Sequence, residues 1–131
     1  MIYMFDTDII SFFMKDNPKE VRINVAKHES DEFCISAITY AELIFGLKRN
    51  YSKRLDFWLN EVLKRFKVIS FDEASSVLYG EIRTALEKSG ASMGDMDILI
   101  AESALAAKAV LVTHNTKHFS KVKGLKTEDW S

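Results

Sequence analysis

The sequence predicts a mostly parallel α/β fold: a central sheet flanked by helices on both faces. Three observations carry that prediction. Short apolar runs suited to buried strands recur at 2–5 ("IYMF"), 33–36 ("FCIS"), 67–71 ("KVISF") and 109–113 ("AVLVT"). Segments of helical character separate each run from the next, and such alternation implies parallel strands joined by helical crossovers. One of these segments has an explicit helical period: Leu55, Trp58, Leu59, Val62 and Phe66 fall at a spacing of 3.6 residues.

Taken in order, the first strand ends at Asp6. Ile9 to Met14 begins a helix, "KDNPKE" breaks it, and Pro18 is suited to open a second helix through Val21 and Val25. Strand 33–36 leads into a helix over "AITYAELIFGLK". The amphipathic helix around Trp58 leads into strand 67–71, after which Asp72 caps a long helix ending near Gly90. "DILIAESALAA" is helical, strand 109–113 follows, and "GLKTEDW" adds a short edge strand. No internal repeat, low-complexity segment or interdomain linker interrupts the 131 residues, which are expected to form a single domain with a core large enough to need no staples.

The balance of 47% hydrophobic and 28% charged residues is that of an ordinary soluble globular chain. A net charge of -1 gives no bulk attraction to nucleic acid, although local basic clusters still steer a polyanion. The lone Cys34 excludes a disulfide framework and fits a reducing cytoplasm. Neither a secretory leader nor a membrane-spanning run is visible, so a cytoplasmic chain with no membrane partner is expected.

Parallel sheets bind ligands beyond the carboxyl ends of their strands. Asp6 and Thr113 both stand at such ends. Asp6, Thr7 and Asp8 have an ordinary use as helix caps, and so do Asp95 and Asp97 at the start of an Ala-rich helix. Glu42 sits in the mostly apolar "TYAELIFG", and Gly46 one turn on leaves room beside it for a backbone or a ligand. Together these acids suggest convergence at one end of the sheet. Carboxylates held close repel one another and favour a cation. Oxygen ligands favour Mg²⁺ or Mn²⁺, whereas His28, His114, His118 and Cys34 lack zinc-site spacing.

"FDTD" after a strand, "ISAITYAELIFG", "GDMDILIAESAL", "LVTHNTKHF" and "VKGLKTEDW" occur in this order over the whole chain. The ordered set resembles the PIN-domain ribonuclease toxins of the VapC type, from bacterial type II toxin–antitoxin pairs. The resemblance implies a PIN fold and a Mg²⁺-dependent endoribonuclease, with Mn²⁺ able to substitute, whose products carry a 5′-phosphate and a 3′-hydroxyl. It implies a VapB-like antitoxin that blocks the site, contact with operator DNA only through that antitoxin, and often a toxin homodimer. Asp6, Glu42 and Asp97 match the family's acidic triad, with Asp6 and Asp97 holding the metal and Glu42 either a ligand or the group that orients water. Thr113 matches its site-positioning Thr. The chain departs from the pattern at Asn115, where many relatives carry a fourth acid, and at His118, where some carry an acid.

Two basic segments offer substrate contacts, Lys48, Arg49, Lys53 and Arg54 in one and Lys117 and Lys121 in the other, or are simply solvated surface. Phe12, Phe13 and Phe45 belong either to the core or to a groove for an apolar antitoxin segment. Three rival readings stand beside the nuclease. "FDTD" also resembles the nucleophile motif of haloacid-dehalogenase-type phosphatases, but Ile9 and Ile10 follow where Gly-Thr is needed. A phospho-acceptor receiver domain would use Asp72, but no Lys ends the "AVLVT" strand. A degenerate PIN domain that only binds RNA or a partner would not need all three acids.

Overall fold

A computed structural model describes residues 1–131. The chain runs β1 (Ile2–Phe5), α1 (Thr7–Lys15), α2 (Glu20–Lys27), β2 (Glu32–Ser36), α3 (Ala37–Arg49), α4 (Lys53–Arg65), β3 (Phe66–Ile69), α5 (Glu73–Lys88), α6 (Asp95–Ala106), β4 (Val110–Val112), α7 (Thr116–Phe119) and β5 (Thr127–Glu128). The five strands form one sheet in the order β3-β2-β1-β4-β5, and every pairing is parallel. The chain therefore winds outward from β1 through β2 to β3, then returns to lay β4 on the other side of β1. The switch point lies between β1 and β4, where open α/β sheets hold their ligands.

The strand alternation sorts side chains to the two faces of the sheet. Tyr3, Phe5, Phe33, Ile35, Val110 and Val112 point to one face, where they meet Ile9, Ile10 and Met14 of α1, Val21 of α2, and Leu59 and Val62 of α4. Met4, Cys34 and Leu111 point to the other, where Ile100, Ala101 and Ala104 of α6 lie against them with Phe119 and Val122. The alanines let α6 approach the sheet closely. α6 is buried on most sides, which is why its sequence has no polar stripe.

Element ends differ from expectation by a few residues, for local reasons. The first helix begins at Thr7, because Asp6 caps it by accepting the Ile9 amide at 2.9 Å. It stops at Asp16, which takes a left-handed conformation (φ 54) that Asp tolerates better than most residues. Pro18 precedes α2 and does not open it. Strand β3 ends at Ile69, short of Phe71, because it is an edge strand with β2 as its one neighbour. Asp72 caps α5 as expected, and Gly90 (φ 73) lies just past that helix's end. Neither Asp95 nor Asp97 caps α6: Gly94 holds the cap position and both acids lie in the first turn, where the helix N-terminus favours negative charge.

Two features of the packing are invisible to periodicity. Trp130 is buried near the end of the chain: its ring stacks on His28 at 4.5 Å between centroids and meets Tyr3 and Phe5, and its Nε1 donates to Glu128. Asn24 donates to its carbonyl across 106 residues of sequence. Glu102 is fully buried on α6, with Ser103 donating to one oxygen and no partner for the other; burial pushes its carboxyl above the usual carboxylate range. It is the one fully buried carboxylate on this helix.

Trp130→Ala should cost about 3–5 kcal/mol, the range for large-to-small truncation of a buried aromatic. The measurement is denaturant unfolding, and the midpoint should fall with an unchanged m-value. A midpoint equal to wild type would show that the final strand and its tail are not part of the cooperative unit.

Candidate active site

Asp6 leaves the central strand into a position enclosed on both sides, and only 6% of its surface is exposed. Its amide donates to the Val112 carbonyl of the adjacent strand, so the backbone is tied across the switch point. One carboxylate oxygen accepts the Ile9 amide at 2.9 Å, and the Thr113 hydroxyl stands near enough to favour the charged form. Thr113 is itself fully buried, and its oxygen accepts the Asn115 amide at 3.0 Å. Burial pushes the Asp6 carboxyl up to about 6, with Asp8 and Asp97 adding repulsion against the Thr113 hydroxyl and the Ile9 amide, which favour the charged form.

Asp97, in the first turn of α6, is close enough to Asp6 for their charges to interact. Its Oδ2 accepts a hydrogen bond of 3.0 Å from Nε2 of His118, on α7. Glu42, in the second turn of α3, faces a different donor: Oε1 accepts 2.6 Å from the hydroxyl of Thr7. Thus all three acids stand at the carboxyl edge of the sheet, each held by its own donor. They do not converge on one point as the sequence suggested; no three His, Cys, Asp or Glu side chains stand close enough to share one cation. The physical reason is that like charges separate and take whatever donors lie nearest. No Lys or Arg pairs with any of the three.

The remaining expected residues divide. The side chain of Asn115 makes no cap hydrogen bond and is exposed beside Thr113. Lys48, Arg49, Lys53 and Arg54 are exposed at the junction of α3 and α4, and Arg54 donates to the Lys15 carbonyl. Lys117 is exposed next to His118, while Lys121 donates to the Ser92 carbonyl and braces the loop before α6. None of Phe12, Phe13 and Phe45 lines the groove beside Glu42. Phe13 packs against Phe66 and Trp58 with Arg22 over its ring, Phe12 lies edge-on to His114, and both rest on the core. Phe45 is 64% exposed. The groove beside Glu42 is lined instead by residues including Ser11, Met14, Leu43, Gly46, Leu47 and Leu55, with a cavity of about 310 Å³. A Cβ on Gly46 would meet nothing within 4 Å, so this glycine contributes open space, as its position relative to Glu42 implied.

Sequence reasoning missed the partners of the acids: Thr7 and Thr39 beside Glu42, and His118 on Asp97. The signal for the first was a hydroxyl residue at each helix start. For His118 the only signal was its place where an acid was expected. The receiver-domain reading loses its support here. Asp72 is an exposed cap whose Oδ1 is taken by the Ser75 amide and hydroxyl, which also hold its carboxyl below the usual range.

Comparison with known proteins agrees with this geometry. The PIN domain model matches residues 3–125. The tRNA(fMet)-specific endonuclease VapC of Shigella flexneri is 35% identical over 130 residues, covering 98% of each chain. Ribonuclease VapC1 of Haemophilus influenzae strain R2866 is 37% identical over 134 residues, covering 100% of this chain and 99% of the relative. Among solved structures, VapBC2 from Rickettsia felis, bound to a DNA fragment from its promoter, superposes with a TM-score of 0.91 at 34% identity over the full length of both chains. A buried Asp at the switch point, two further acids on the same edge and relatives matched from end to end lead to one assignment: the chain belongs to the PIN-domain family, in its VapC branch of ribonuclease toxins.

Proposed function

We propose that this chain acts as one PIN domain over residues 1–131: an endoribonuclease toxin that hydrolyses RNA phosphodiester bonds, active at the carboxyl edge of its sheet and restrained by a VapB-like antitoxin. The observation that carries the reading is Asp6, a carboxylate buried at the switch point with acidic neighbours and no Lys or Arg to neutralise it. The donor set fits a hard divalent cation, being all oxygen and uncompensated. Asp6 and Asp97, whose charges already interact, would hold Mg²⁺, with Mn²⁺ as a substitute, and Glu42 would orient water beside it; when bound, the ion would supply Lewis acidity at the phosphoryl oxygens and acidify water.

The chain's own residues do the rest. The Ile9 amide holds the Asp6 carboxylate with the Thr113 hydroxyl close by, and His118 fixes Asp97. The Oε2 of Glu42 has no protein partner and is free to orient the attacking water. Water's oxygen bonds to phosphorus, the bond to the 3′-oxygen breaks in line, and that oxygen leaves with a proton. The products are a 5′-phosphate and a 3′-hydroxyl. The exposed Lys48, Arg49, Lys53, Arg54 and Lys117 suit phosphate contacts on a folded RNA; tRNA is the substrate class named for the Shigella relative. Lys121 is already engaged with Ser92 and belongs to loop support.

The groove of α1, α3 and α4 residues opens beside Glu42 and fits an apolar antitoxin segment. An antitoxin Arg reaching the acids would replace the cation with a planar fork of donors. No helix of the structure is long and apolar enough to cross a membrane; a cytoplasmic location and a homodimer complete the proposal, with operator DNA contacted only through the antitoxin.

Asp6→Asn or Asp97→Asn should abolish Mg²⁺-dependent cleavage of total cellular RNA while leaving the fold intact. Mapping cut ends with and without Mg²⁺ checks this, and a folded variant that cuts at the wild-type rate removes that residue from the mechanism. Asp6→Asn also carries a pH signature. The Asp6 carboxyl lies above its ordinary 3.8 when folded, so the linked stability is fully present below about pH 4 and is lost as pH rises through about 6. Asn keeps the cap but not the charge. Without metal, the variant should therefore exceed wild type near neutral pH by up to about 3 kcal/mol, an advantage that fades as the pH falls toward about 4. Thermal melts across that range read it.

Asn115→Asp should tighten Mn²⁺ binding by adding a charge beside Thr113, which calorimetry on both forms measures. Equal affinities would place residue 115 outside the ion's reach. Expression of the chain alone should arrest growth, and co-expression of a small VapB-like partner should restore it. A chain harmless on its own and inactive on RNA would refute the toxin reading while leaving the PIN fold untouched.

A further inference from the structure

Glu42 is not held by its own helix. The Thr7 hydroxyl that donates to its Oε1 at 2.6 Å belongs to α1, 35 residues away. Thr7 Oγ1 lies 3.1 Å from Thr39 Oγ1. Ser36 Oγ donates to Thr39 Oγ1 at 3.3 Å, and the Thr39 amide donates to Ser36 Oγ at 3.0 Å. Ser36 and Thr39 are fully buried.

Each hydroxyl has one proton to give, and that sets the direction of the chain. A carboxylate only accepts, so the proton of Thr7 goes to Glu42. Thr39 must then supply Thr7, and Ser36 must supply Thr39. The Ser36 oxygen accepts a backbone amide, so the series ends on the main chain. Every hydroxyl donates once within the series and accepts once, and hydrogen bonds arranged head to tail polarise one another.

We infer that Ser36, Thr39 and Thr7 form a directed hydroxyl relay that orients Glu42, which makes Thr39 and Thr7 positioning residues for the cleavage reaction. The inference rests on Glu42 belonging to the site, as proposed above. Helix capping does not account for it. Ser36 caps α3 through the Thr39 amide alone, and the cap needs nothing from the Thr39 hydroxyl. Nor is Thr7 the cap of α1, since Asp6 fills that role. Thr7 follows Asp6 directly and is freed by that arrangement to reach across to α3. The relay therefore links the helix that carries Glu42 to the residue next to Asp6. It commits Oε1 of Glu42 to Thr7 and leaves Oε2 for the site.

The test uses the full chain freed of its antitoxin and reads two quantities. One is kcat and KM on a synthetic RNA spanning a cut site mapped on total RNA. The other is the carboxyl carbon resonance of Glu42 in the metal-free protein. Thr39→Val should lower kcat about tenfold with KM nearly unchanged, the effect of removing an orienting partner behind a functional carboxylate. It should also move the Glu42 resonance, although the Thr39 hydroxyl reaches Glu42 only through Thr7. Thr7→Val should do both more strongly. Thr39→Ser keeps the hydroxyl and should restore both. Leu86→Ala, a core truncation in α5, should lower stability and leave the Glu42 resonance in place, which separates positioning from general destabilisation. Thr39→Val with wild-type kcat and an unmoved resonance overturns the relay, as does a Thr39→Ser variant impaired to the same degree as Thr39→Val. Glu42→Gln distinguishes the two layers: wild-type kcat there removes Glu42 from the site and the relay with it, whereas lost cleavage there beside an unaffected Thr39→Val overturns the relay alone.

Discussion

A carboxylate buried at the end of a central strand must find donors where the sheet puts them, and the rest of this structure follows from how Asp6 does so. β1 lies between β2 and β4, so the residue leaving it is walled in on both sides. The Ile9 amide comes from the turn that Asp6 itself caps, and the Thr113 hydroxyl, at the end of the neighbouring strand, lies close enough to favour the charge. Both donors support the charge without neutralising it. The site stays acidic, with its central carboxyl well above the usual range, and that is an electrostatic state a divalent cation relieves.

The same economy governs the other two acids. Glu42 takes a hydroxyl and Asp97 an imidazole. Several basic side chains are occupied elsewhere: Arg83 pairs with Asp95, Lys121 braces the loop at Ser92, and Arg54 binds the Lys15 carbonyl. Had any of these paired with the triad, the local field would favour a closed ion pair over a metal. Keeping the cations off the acids, while leaving Lys48, Arg49 and Lys53 exposed beyond them, suits a site that must attract both a divalent ion and a polyanion.

The apolar framework makes this arrangement affordable. Two clusters on opposite faces hold the strands in register, and the fully buried Ala101 and Ala104 bring α6 close enough for Asp97 to interact with Asp6. Trp130 closes the first face with the last residues of the chain, so the edge strand β5 is fastened by an aromatic anchor as well as by its backbone bonds to β4. Glu102 shows the limit of that framework, since one of its oxygens is buried without a partner.

The sequence by itself determined the strands, most of the helices, the cap at Asp72, and which residues are chemically unusual: Asp6, Glu42 and Asp97 amid apolar neighbours. Those features are local. They depend on periods of two or 3.6 residues and on hydrogen bonds to amides two or three residues ahead. Only the tertiary structure decided the strand order, the packing of Phe13 against Trp58, the lining of the groove beside Glu42, and the donors that hold each acid. Thr7 reaches Glu42 across 35 residues, and His118 reaches Asp97 across 21. No periodicity encodes such pairs. They exist because the sheet returns β4 to the side of β1 and brings helix starts that are distant in sequence to one edge.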